Sequence, residues 1–212
     1  MTGNRAEALL AFVRAVGDLK KVPRTGWLDR GVSPEEVESV ADHSWRVALM
    51  SWLLSADVEG LDRQRVLLLG LLHDLAEAVT GDVPPYDPAD LPAADDPERS
   101  RSFEHRQIIS DERKRAKQEA EDAATAGLIA NLPLSVKEEI QSLWTEMTDR
   151  QTPEARFVKE IDRLETFLQS REYLEHYPGL PVRSFLLEVE ETLETPVLRD
   201  VRDAARPSSR DE

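Results

Sequence analysis

One short segment, Leu71-Leu72-His73-Asp74-Leu75-Ala76-Glu77 at the end of an apolar run, limits this chain more than any other feature. An imidazole and a carboxylate that finish a buried segment must have their desolvation offset, and a divalent cation does so by accepting both. Another histidine, His43, stands about thirty residues upstream. The expectation is a metal held inside a helical core.

Composition bounds what such a site can serve. At 212 residues and 40% hydrophobic content, the chain can bury one substantial core, read here as a single domain over residues 1–195. There is no cysteine, which removes disulfides, thiolate ligands and a cysteine nucleophile together and fits an intracellular protein. Any metal must therefore use imidazole and carboxylate. Mn, Co, Mg, Fe, Ni and Zn all accept those ligands, so the ion's identity stays open. A net charge of −15 without a basic stripe disfavours DNA or another large polyanion as partner. The first apolar stretch, Ala8 to Val13, meets Arg14 too soon to be a secretion signal or a membrane span, so the cytoplasm is expected.

Apolar residues recur three and four apart with no sustained alternation, which predicts an all-α fold. Helices are expected near 4–19, 34–56, 62–79, 98–130, 135–147, 153–175 and 181–194. Ser33-Pro34-Glu35-Glu36, Ser135-Val136-Lys137-Glu138 and Thr152-Pro153-Glu154 read as capped starts. Two loops interrupt the pattern. Lys20 to Val32 carries Pro23-Arg24-Thr25-Gly26-Trp27, and Gly81 to Pro97 holds five prolines beside the His73-Asp74 helix, as a lid or wall would. From Thr195-Pro196 the composition drifts to Arg, Asp, Ser and Pro, so residues 196–212 read as a frayed tail.

Four residues on three predicted helices make the constellation: His43, His73, Asp74 and Asp162. His43 shares a face with Val47 and Met50, and Asp162 shares one with Val158 and Glu165 beside Ile161 and Leu164. Two imidazoles and two carboxylates leave open positions on an octahedral ion, as hydrolysis requires. His105, among charges, reads as solvated, and His176 as a helix-end residue. No glycine-rich phosphate loop, Gly-x-Ser-x-Gly elbow or dinucleotide fingerprint competes.

The order histidine, His-Asp doublet, distant aspartate resembles the HD-domain phosphohydrolases. Pro23-Arg24-Thr25-Gly26-Trp27, Val40-Ala41-Asp42-His43-Ser44, His73-Asp74-Leu75-Ala76-Glu77, Gly81-Asp82-Val83-Pro84 and Lys159-Glu160-Ile161-Asp162 resemble its branch of HD-domain-containing protein 2 and bacterial 5'-deoxynucleotidases, over roughly residues 8 to 180. The resemblance implies an HD-domain helical bundle with the metal site between helices. His43, His73, Asp74 and Asp162 then match the metal ligands, Glu77 the acidic residue at the scissile phosphate, and Arg24 the phosphate-binding arginine. Trp27 would contact sugar or base, Asp82 would line the substrate site, and Glu77, Asp82 and the Val83 backbone would be available to a second cation.

The implied reaction is hydrolysis of a deoxynucleoside 5'-monophosphate by water, with Glu77 orienting the water or protonating the leaving oxygen. Phosphodiester or triphosphate hydrolysis, or a metal-retaining nucleotide-binding module without turnover, stand as alternatives. The resemblance further implies a homodimer acting on small nucleotides. After Pro84 the match thins, and there the chain has its own Asp87, Asp90, Asp95 and Asp96 among prolines.

Overall fold

Ser39 opens the helix that carries His43. Its hydroxyl accepts the Asp42 backbone N–H while the Asp42 carboxylate accepts the Ser39 N–H, a reciprocal capping box. In the computed structural model, which describes residues 2–206, this helix, α3, spans Val40–Leu54. Before it come α1 (Thr2–Gly17), a 3-10 turn at Asp18–Lys21 and the single turn α2 (Thr25–Leu28). After it come α4 (Arg63–Leu72), the single turn α5 (Glu77–Thr80), α6 (Asp111–Ile129), α7 (Leu134–Asp149), α8 (Pro153–His176), α9 (Arg183–Thr192) and α10 (Pro196–Ala204). Among the described residues there is no strand beyond an isolated bridge between Pro23 and Ser39. No helix among the described residues is long and apolar enough to cross a membrane.

Helices α3, α4 and α8 form the centre. Val47, Val66, Leu69, Val158, Ile161, Leu164 and Phe167 are all buried in one cluster, with Leu143 and Met147 of α7 closing one side and Val189 and Leu198 of α9 and α10 the other. A second cluster under α1 joins Leu75 and Ala76 to Ile129, Ile140 and Trp144. Gly70 sets the α3/α4 distance. A Cβ there would lie 2.9 Å from the Ala48 Cα, closer than packed carbons approach.

Several boundaries differ from expectation. Ser33-Pro34-Glu35-Glu36 makes a turn, with Glu36 and Val37 N–H both bonded to the Ser33 carbonyl, and the helix waits for the Ser39 box. The stretch expected as one helix over 62–79 breaks at residues 73–76. Between 98 and 110 lie a 3-10 turn (Pro97–Phe103) and irregular chain, and α6 begins only after the Ser110 cap. The expected tail is corrected over 196–204. Pro196 starts α10, which buries Leu198 completely against α8 and α9. The remainder of that expected tail from 207 lies outside the described residues.

Candidate metal centre

The break after Leu72 places His73 as the cap of α4, with its ring turned back along the helix. Its Nδ1–H donates to the Gly70 carbonyl at 2.8 Å. On α3, the fully buried His43 donates from Nδ1 to Glu165 Oε2 at 2.5 Å. A carbonyl and a carboxylate can only accept, so both rings carry a proton on Nδ1 and turn Nε2 inward as the nitrogen available to a metal. The two Nε2 atoms stand 3.3 Å apart.

Two carboxylates meet them. From α8, Asp162 Oδ1 lies 3.1 Å from His43 Nε2 and 3.9 Å from His73 Nε2, while its Oδ2 is held by Lys159 Nζ at 2.5 Å. Asp74 Oδ2 lies 3.1 Å from His73 Nε2 and 3.7 Å from His43 Nε2. This buried oxygen has no hydrogen-bond partner. His43, His73 and Asp162 thus offer ligand atoms within 4.8 Å of one another, and Asp74 Oδ2 lies beside both imidazoles, an arrangement that a cation reconciles. Ligands about 2.0–2.2 Å from a common ion stand roughly 3 Å apart when adjacent, and the spacings found run from 3.1 to 3.9 Å. Burial and Arg24 push the His43 pKa down, but Glu165 and Asp162 outweigh them and raise it to about 10, so without a cation the ring holds a second proton, on Nε2, which a bound ion would displace. The donor set therefore fits a divalent cation.

Arg24 arrives from the loop before α2, pinned by its backbone N–H to the Glu38 carbonyl at 3.0 Å. Its guanidinium reaches Asp82 Oδ1 at 3.2 Å and lies 3.7 Å from Asp74 Oδ2, beside the centre. Glu77, one turn past His73, is 3% exposed, and its Oε2 has no partner. Burial, then the charges of Asp74 and Asp82, hold its carboxyl well above the usual range against Arg24 and Lys117. Both effects favour the protonated form of Glu77.

Two expectations change. Trp27 is 1% exposed, its ring edge-on to Tyr173 at 5.1 Å and tilted on Phe185 at 4.7 Å, with Nε1 donating to Glu38 Oε1 at 2.8 Å. A ring of that apolar area is worth more in the core than at a polar rim, so the expected sugar or base contact is replaced by packing. Asp82 is occupied by the protein's own donors: its carboxylate accepts the Thr25 N–H and Arg24. Sequence reasoning missed Lys159, Arg46, whose Nε donates to Glu165 Oε1 at 2.7 Å, and Lys117, which donates to the Val83 carbonyl. The proline-rich stretch after Gly81 is tied down by side-chain bonds. Tyr86 donates to Asp29, and Arg99 and Arg113 hold Asp29, Pro92 and Asp87.

A family model for the HD domain matches residues 16–195. The chain belongs to the HD-domain family. HD-domain proteins similar to it include a human 5'-deoxynucleotidase, 37% identical over 180 residues that span 84% of this chain and 75% of the other. A 5'-deoxynucleotidase of Schizosaccharomyces pombe is 32% identical over 84% of this chain and 79% of its own. A conserved hypothetical protein of Pyrococcus furiosus superposes with a TM-score of 0.67 at 28% identity, covering 93% of this chain and 98% of that one. A protein of Magnetospirillum magnetotacticum described as a predicted metal-dependent phosphohydrolase gives 0.65 at 26% identity, covering 97% and 92%.

Proposed function

We propose that this HD-domain chain is a metal-dependent 5'-deoxynucleotidase that hydrolyses deoxynucleoside 5'-monophosphates to deoxynucleoside and phosphate. The observation that carries the reading is the facing of His43, His73, Asp74 and Asp162 on one centre, with Asp74 Oδ2 buried and unpartnered, in a chain similar to proteins of that activity. Those four residues would hold the ion. The chemistry such an ion supplies when bound is Lewis acidity toward water and phosphate oxygens.

The chain's own groups do the rest. Arg24, steadied by Asp82, offers a guanidinium fork to two phosphate oxygens, which a protein of net charge −15 needs locally. Glu77, protonated by virtue of its burial, delivers a proton from its carboxyl to the departing 5'-oxygen, a contribution typically of about a hundredfold or more. Buried Glu165 and the Gly70 carbonyl keep both imidazoles in the ligating tautomer.

The test is phosphate release from ribo- and deoxyribonucleoside mono-, di- and triphosphates, using metal-free protein resupplied with Mn, Co, Mg or Zn. Turnover confined to deoxyribonucleoside monophosphates and restored by metal is expected. Turnover of triphosphates alone, or binding without release, would overturn the assignment.

A homodimer is part of the same proposal. On α3, Trp45, Leu49, Trp52 and Leu53 are between 41% and 64% exposed, and on the adjoining α4 so are Leu67, Leu68 and Leu71 at 36% to 51%. The Arg63 guanidinium lies 4.7 Å over the Trp52 ring and ties the two helices at one end of this apolar face. A second copy of the chain is the occupant that suits it.

A further inference from the structure

Beside the four-ligand centre, Glu77, Glu121 and the Val83 carbonyl converge on one point. Glu77, Asp82 and the Val83 backbone are the groups that the sequence resemblance offers to a second cation. In this chain the point already holds a positive charge. Lys117, reaching in from the middle of α6, donates from Nζ to the Val83 carbonyl at 2.9 Å, and stands 3.4 Å from Glu121 Oε1 and 3.8 Å from Glu77 Oε1. An ion on that carbonyl would lie about 2.0–2.6 Å from its oxygen, in the space the ammonium fills, and the two charges would repel.

Asp82 is withdrawn as well. Its Oδ2 accepts the Thr25 N–H at 2.5 Å and its Oδ1 the Arg24 guanidinium at 3.2 Å, while its backbone carbonyl takes the Thr25 hydroxyl at 2.8 Å. Of the three expected ligands, one carbonyl is taken by a lysine, one carboxylate by a guanidinium, and only Glu77 is left. The residues present do not fit a second ion.

Resting on the metal centre described above, we propose that Lys117 is the resident cation of this acidic wall, a positioning residue whose ammonium stands where a second metal would, so that the enzyme works with one divalent ion per chain. The ammonium balances Glu121 without drawing on metal from solution, and through Val83 it fixes the segment of chain that carries Asp82 and hence Arg24. Burial pushes the Lys117 pKa down, but Glu121, Glu77, Asp74 and Asp82 outweigh it, and the group stays charged.

Titration of metal-free protein with Mn2+, counting bound metal by mass spectrometry after desalting and by calorimetry, tests this in the parent, Lys117→Ala and Lys117→Arg, each checked for folding by circular dichroism. One equivalent is expected for the parent and Lys117→Arg, and a second, weaker equivalent for Lys117→Ala. Phosphate release by Lys117→Ala should fall at least tenfold at one equivalent and recover with excess Mn2+, whereas the parent should not respond to the excess. Two equivalents on the parent, or a single equivalent and no response to excess in folded Lys117→Ala, would overturn the proposal. Should alanine prevent folding, Lys117→Gln is read by the same criteria, and a parent count of two is decisive regardless. No metal on the parent would instead overturn the metal centre itself, a distinct result.

Discussion

Glu165 does for His43 what the Gly70 carbonyl does for His73: each accepts from Nδ1 and so commits Nε2 to the centre. Glu165 is fully buried, and its other oxygen is held by Arg46, which in turn pairs with Glu172 and Gln169 at the surface. Removing a partner of this kind typically weakens metal binding by about 10- to 100-fold. Glu165→Gln should therefore raise the Kd for Mn2+ by roughly tenfold or more while leaving the helical circular dichroism signal intact. A Kd within twofold of the parent would show that Glu165 merely packs. The sequence placed Glu165 on the face of Asp162 but could not show its contact, because His43 is 122 positions away. The four candidate ligands were legible as a set because histidine and aspartate on apolar faces call for compensation. Trp27 was not, since an aromatic beside an arginine reads equally as a binding ring or a core ring, and only packing decides.

At the scale of elements, the helical class and the centres of α3, α4, α7 and α8 follow from apolar spacing, whereas the boundaries follow from chemistry that spacing does not report. Leu71, Leu72 and Leu75 continue a helical rhythm through residues 73–76, yet the chain turns there so that His73 can reach back to the Gly70 carbonyl and Asp74 can face the centre. Ser39-Val40-Ala41-Asp42 carried a capping signal as good as that of Ser33, and Thr195-Pro196 has the same form as Thr152-Pro153, which does cap α8. Gly70 has a dual place in this, letting α4 approach Ala48 and presenting the carbonyl that orients His73. Gly70→Ala would gain about 1 kcal/mol of helix propensity but force a Cβ against backbone, an overpacking cost of about 1–3 kcal/mol. The clash wins because the opposing atom is the Ala48 Cα and not a mobile side chain. The variant should melt several degrees lower, at about 2–4 °C per kcal/mol for a chain of this size. A melting temperature at or above the parent's would show that α3 and α4 can part without loss.

Over the whole molecule, apolar surface is unevenly spent. The face that α3 and α4 turn inward is filled, yet the outward face of the same pair leaves seven large apolar side chains open, two of them tryptophans. Each tryptophan can bury about 150–250 Å², and monomers rarely show a contiguous apolar patch above about 300–600 Å². Arg63, at the start of α4, lies over Trp52, near the end of α3, so the exposed apolar residues of the two helices meet at that end. Such a face presents the same stripe to a copy of itself, as a two-fold interface requires. Sedimentation equilibrium at micromolar concentration should give twice the 24.0 kDa chain mass. Leu49→Glu combined with Leu67→Glu, at the middle of the stripe and away from the four candidate ligands, should return the protein to the mass of one chain while it still binds Mn2+. A parent that sediments at the single-chain mass would remove the dimer and leave the exposed stripe to a different partner.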